Sequence, residues 1–186
     1  LVVVEILFLD PGLLESLIFV DETSDPRIAA LDLLVESEHG ADSSVFLVTC
    51  SRAFAEAVCA AAPEFWARMA PRRVEFSQAV LGGENGGVVL AGSLEEAYRF
   101  INDYAPEHLQ ILSKTPFAHL THIRNASEIL LGEETAAAIA NYMMGPNCVL
   151  PTSGAAKVHS PLGVHDFLKS ASAGHMTAKG HAEMAP

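Results

Sequence analysis

Basic side chains are scarce in this chain. Its 186 residues hold 11 Lys and Arg against 23 Asp and Glu, a formal net charge of -12 at pH 7. That balance excludes a phosphate-binding surface, because affinity for nucleic acid rests on cations that neutralise the backbone. Charge of either sign is thin at 18%, while 50% of the residues are hydrophobic, which excludes a disordered chain and points to a globular one. Cysteine is rare too. Cys50, Cys59 and Cys148 are an odd set without metal-ligand spacing, so no disulfide framework is expected and the thiols read as reduced, in a cytoplasmic protein. Long apolar runs are missing. Residues 1–10 are apolar but short, are interrupted by Glu5 and lack a basic leader or cleavage site, so they read as neither signal peptide nor membrane span. There is no Gly-x-Gly-x-x-Gly fingerprint and no phosphate-cradling loop, so no dinucleotide site is expected in this chain alone. The chain starts without Met, inside what reads as a strand, and is expected to be a piece of a longer protein.

What is present alternates between two periodicities. Residues 17–20 form a short apolar run closed by Asp21 and Glu22, as a buried strand would be. Ser24-Asp25-Pro26 then supplies a cap and a proline for a helix whose core side reads as Ile28, Leu31, Leu34 and Val35, ending near His39-Gly40. A second strand is expected over 45–48 and an Ala-rich helix over 52–69, broken or restarted at Pro63. The turn Glu84-Asn85-Gly86-Gly87 precedes a strand at 88–91, and Ser93 with Glu96 makes a capping box for a helix at 94–104. Residues 110–112 and 128–131 read as strands and 135–142 as a helix. Such alternation predicts an α/β, Rossmann-like fold with a mostly parallel sheet and helices on its faces. From Met143 the chain turns irregular, with a helix expected at 162–169 and a weak one in the tail. The expected division is a half-domain over 1–160 and a helix with its tail over 161–186.

Chemistry concentrates at Asn102-Asp103-Tyr104-Ala105-Pro106-Glu107-His108-Leu109. Pro106 denies Ala105 the helical conformation, so the helix must stop and the chain extend. Neighbouring side chains of an extended segment point to opposite faces, so Glu107 and His108 should not share one apolar layer. An imidazole starts closest to the pKa a general base needs, and a desolvated Glu can be raised toward it. Glu36 and His39, three apart on the first helix, could grip one cation, although a His in a last turn equally serves the helix dipole. Asn141, Cys148, His159 and His165 could line a pocket in the irregular stretch, while His119 and His122 read as surface turns.

Several strings taken together resemble histidinol dehydrogenase. They are Val20-Asp21-Glu22-Thr23, Asp32-Leu33-Leu34-Val35-Glu36-Ser37-Glu38-His39-Gly40, Tyr104-Ala105-Pro106-Glu107-His108-Leu109, Gly145-Pro146-Asn147-Cys148-Val149-Leu150-Pro151-Thr152-Ser153-Gly154 and Ser160-Pro161-Leu162-Gly163-Val164-His165-Asp166-Phe167-Leu168-Lys169. The resemblance implies an NAD-dependent oxidoreductase that takes an amino alcohol through the aldehyde to the acid. His108 would be the base for the hydroxyl proton and Glu107 the group that activates water. It implies a zinc ion held by Glu36, His39 and Asn141, and a substrate held by Glu36, His39, His108, Asn141 and Cys148. It also implies a homodimer, with the NAD site mostly outside this chain and no membrane or nucleic-acid partner.

The sequence departs from the family pattern around the substrate and not at the reacting pair. Glu36 stands where the family has Gln, Asn141 where it has Asp, Cys148 where it has His, and Leu14 where it has Ser, in a Gly-Pro-Ser-Glu string of which Gly12 and Glu15 remain. These changes point to a related branch acting on a different amino or hydroxy alcohol. A non-catalytic remnant is the further alternative, opposed by the retained Glu107 and His108.

Overall fold

The computed structural model describes residues 14–185. The apparent strand at 1–10, with Gly12, lies outside them. Five strands form one parallel sheet in the order β3-β2-β1-β4-β5: β1 (Glu15–Val20), β2 (Ser44–Thr49), β3 (Gly86–Leu90), β4 (His108–Leu112) and β5 (Glu128–Leu131). The crossover between β1 and β4 makes the doubly wound pattern. Because side chains alternate along a strand, each strand feeds two cores. Ile18, Val20, Val45, Leu47 and Leu112 meet α1 (Pro26–Ser37) and α2 (Arg52–Trp66), while Leu17, Phe19, Phe46, Leu109 and Ile111 meet α4 (Leu94–Tyr104) on the opposite face. Leu17, Phe19 and Leu109 are fully buried, which stabilises the fold by about 1.5–3 kcal/mol for each side chain.

Pro63 does not break α2, which continues to Trp66. The helix α3 (Pro71–Leu81) follows, and no periodicity announces it, because only Ser77 and Val80 on it are buried. A one-turn helix, α5 (Pro116–Leu120), carries His119 against Phe19, with ring centroids 5.0 Å apart. Next to it on the surface, His122 stacks on Tyr98 at 4.6 Å. The helix expected at 162–169 is a single 3-10 turn, Val164–Phe167. Val164, Phe167 and Leu168 are exposed there, so no packed face holds a longer helix. The chain also has α6 (Ala137–Met143), a 3-10 turn at Ala155–Lys157 and α7 (Ala178–Met184). Among the described residues no helix is long and apolar enough to cross a membrane.

Two local departures shape the site. Ala105 does leave the helical region, but into the left-handed one, φ 56 and ψ 62, with its N–H returned to the Ile101 carbonyl. The core face of α1 is rotated from the expected one. Leu31 is 42% exposed, whereas Asp32 and Glu36 are buried.

Candidate functional site

The rotation of α1 aims two carboxyl groups at the sheet. Since α1 runs antiparallel to the strands, its last turn arrives at their amino ends. There the register aligns Ser16 of β1 with His108 of β4, and His108 with Glu128 of β5. All three side chains share the α1 face by the strand alternation. His108 Nδ1–H donates to Glu128 Oε2 at 2.8 Å, and His108 Nε2 lies 3.6 Å from Glu107 Oε1. Glu107 and His108 therefore meet instead of pointing apart. Glu107 sits in a bend just before β4 begins, so the strand alternation does not govern it. Its other oxygen, Oε2, accepts from the Glu15 backbone N–H at 3.3 Å. Glu36 closes the group from above, hydrogen-bonded to Ser16 and within electrostatic reach of His108, His39 and Glu107. This cluster lies at the amino ends of the strands, opposite the carboxyl ends where doubly wound sheets usually bind ligands.

Charge is concentrated and shielded here. Burial alone would depress the His108 imidazolium, but hydrogen bonds to Glu107 and Glu128 and the charge of Glu36 outweigh it and raise the group to about 9. Burial pushes the Glu36 carboxyl up, against the opposing pull of His108, His39 and Ser16. One turn earlier on α1, burial and the neighbouring Glu36 charge raise Asp32 to about 7. Asp32 Oδ2 and Gln110 Oε1 are both buried without a hydrogen-bond partner. Gln110 donates from its amide to the Thr135 carbonyl at 3.1 Å, and its side chain also hydrogen-bonds the Asp32 carboxyl, which pulls that group down against the stronger effect of burial.

The donor set at the end of α1 suits a cation in part. His39 Nδ1 is bonded to the Glu36 carbonyl at 3.1 Å, which leaves Nε2 available. No basic residue occupies the last turn of α1, so His108 and His39 alone offset the Glu36 carboxylate at the negative end of the helix dipole, where a bound cation would stabilise it further. A carboxylate oxygen and an imidazole nitrogen are ordinary zinc ligands, yet a tetrahedral site needs four. Among the described residues no three His, Cys, Asp or Glu stand close enough to enclose a metal. Asn141 lies on α6, its side chain outside the described residues. Cys148 is exposed beyond α6, and among the described residues no hydrogen bond ties it to the pair. His159 and His165 are exposed as well.

His119, read from sequence as a surface turn, is 8% exposed. It joins Tyr98 Oη at 2.7 Å to Asp21 and Ser113, each at 3.3 Å, near the carboxyl edge of the sheet. Nor does the turn from β1 to α1 suit a dinucleotide. Asp25 caps α1 by accepting from Arg27 N–H, and Glu133 accepts from Asp25 N–H at 2.6 Å. Carboxylates thus occupy the place where a pyrophosphate would need free amides. Sequence reasoning missed Glu128, Asp32 and Gln110. For Glu128 no sequence signal was available, because its place in the row of His108 depends on which strands pair.

Comparison with known proteins agrees with this architecture. The family model for histidinol dehydrogenase matches residues 9–186. The chain is 57% identical over 177 residues to a protein from Mesorhizobium japonicum named histidinol dehydrogenase homolog 2, covering 95% of this chain and 40% of that one. It is 45% identical over 174 residues to histidinol dehydrogenase of Synechocystis sp., covering 94% of this chain and 40% of that enzyme. The crystal structure of histidinol dehydrogenase from Elizabethkingia anophelis superposes with a TM-score of 0.79 at 30% identity, over 91% of this chain and 38% of the other. The chain thus spans about 40% of the length of the curated relatives it matches. On its sequence and its parallel sheet alike, the chain belongs to the histidinol dehydrogenase family.

Proposed function

We propose that the full-length protein is an NAD-dependent dehydrogenase of a small amino alcohol of the histidinol type, acting through the aldehyde to the acid. The observation that carries the reading is His108 held between Glu128 on one ring nitrogen and Glu107 on the other, with Glu36 beside it. Oxidising an alcohol removes a hydride from carbon and a proton from oxygen. NAD, when bound by the rest of the protein, accepts the hydride. The proton is the task of this chain. Glu128 fixes the proton on Nδ1, and once Nε2 has given up its own proton, as it does when pH rises toward the His108 value of about 9, its lone pair takes the hydroxyl proton. In the second oxidation Glu107 takes a proton from water as the water oxygen bonds to the aldehyde carbon, while the His108 imidazolium returns its proton to the carbonyl oxygen. The resulting diol then gives up a hydride to a second NAD and a hydroxyl proton to His108. Glu36 and His39 would hold a zinc ion, with Asn141 as the resemblance places it, and the ion when bound would anchor and orient substrate nitrogens. Cys148 would lie along the substrate path, and two chains would combine as a homodimer.

A second reading keeps the scaffold and changes the alcohol. The 57% identity to a relative named only as a homolog, against 45% to one named as the enzyme, favours it, together with Glu36, Asn141 and Cys148 in the substrate shell. The test is NADH formation by the full-length protein with L-histidinol and a panel of amino and hydroxy alcohols. His108→Asn should lower kcat by about 10²–10⁴-fold with little change in KM. An unchanged kcat would remove His108 from the reaction.

A further inference from the structure

Glu15 touches the site at both of its ends. Its backbone N–H donates to Glu107 Oε2 at 3.3 Å, and its buried carboxylate accepts from Ser153 N–H at 2.7 Å. The Gly154 N–H faces the same carboxylate. Ser153 and Gly154 are consecutive residues in the left-handed region, φ 58 and φ 69, which turns their amides together into a concavity suited to an anion. For a serine that conformation is costly, by about 1–2 kcal/mol, and it persists where the surroundings over-determine it. The surroundings here are two anchors. Ser127 Oγ–H donates to the Pro151 carbonyl at 2.8 Å from the other side, and Ser127 directly precedes Glu128, the partner of His108. Residues 151–154 are therefore held between the neighbours of both reacting groups.

We infer that Glu15 is a positioning residue: its carboxylate clasps residues 151–154 across the amino edge of the sheet, so that this segment forms a fixed wall of the substrate hollow beside Glu107. The inference rests on the reading of Glu107 and His108 as the reacting pair. Glu15 does no chemistry itself. It sets where the segment stands, and so how well the alcohol is seated, while NAD is held elsewhere.

The experiment compares wild type, Glu15→Gln and Ser127→Ala in the full-length protein, by amide hydrogen exchange and by steady-state kinetics with the alcohol found active in the panel. In Glu15→Gln, exchange at 152–155 should quicken by about tenfold or more while β1 and β4 stay protected. In both variants KM for the alcohol should rise about tenfold, with kcat within about threefold and KM for NAD unchanged. A purely structural weakening would not separate the two KM values. Unchanged exchange at 152–155 in Glu15→Gln overturns the clasp, and faster exchange with an unaltered alcohol KM overturns the positioning role. If Glu15→Gln does not fold, Ser127→Ala decides by the same two readouts. A wild type that oxidises no alcohol defeats the functional reading instead, and the exchange rates still decide the clasp.

Discussion

At the scale of single residues, Asp32 carries a consequence for stability. Its carboxyl rises from an ordinary 3.8 to about 7 because burial, seconded by Glu36, disfavours the charge. A folded-state pKa above the unfolded one stabilises the fold fully below about 3.8, and that contribution is lost as pH rises through about 7. At roughly 1.4 kcal/mol per unit the whole effect is a few kcal/mol at most. Asp32→Asn keeps the shape and removes the buried charge. The variant should therefore gain on the wild type as pH rises, its melting temperature exceeding the wild-type one by several degrees more at pH 8 than at pH 5 in the full-length protein. An equal gap at the two pH values would mean that the Asp32 carboxyl is not raised in the fold. Sequence marks Glu107 and His108 because a proline and an ended helix isolate them. It does not mark Asp32 or Glu128, whose significance is a partner 78 or 20 residues away across the sheet.

Among the elements, α1 decides the most. Its amino end is capped by Asp25 and its carboxyl end brings Glu36 and His39 to the sheet edge with no basic residue in its last turn. If those two side chains hold zinc, His39→Ala in the full-length protein should lower bound zinc well below one per site by elemental analysis. Full zinc content in that variant would move the metal elsewhere. Several elements can be read from their ends: Asp25 with Pro26 opens α1, and Ser93 with Glu96 opens α4. Reading fails where tertiary contacts override the pattern. The apolar Leu31 faces out while Asp32 and Glu36 face in, because the row of Ser16, His108 and Gln110 beneath α1 is polar. The apolar residues of 162–169 stay exposed and form only one turn.

At the scale of the whole molecule, alternation of strands and helices makes the parallel sheet legible, while the strand order and the edge that carries the site are not. Both depend on which strands pair, and no periodicity records that. The order β3-β2-β1-β4-β5 puts β4 between β1 and β5 and thereby assembles Ser16, His108 and Glu128 in one row under the end of α1. Everything proposed for the function requires that α1 and β4 act on the same bound molecule. A double-mutant cycle on kcat/KM with Glu36→Gln and His108→Asn in the full-length enzyme measures this directly. A shared hollow predicts a coupling energy of about 1 kcal/mol or more, whereas effects that add within about 0.5 kcal/mol would contradict it.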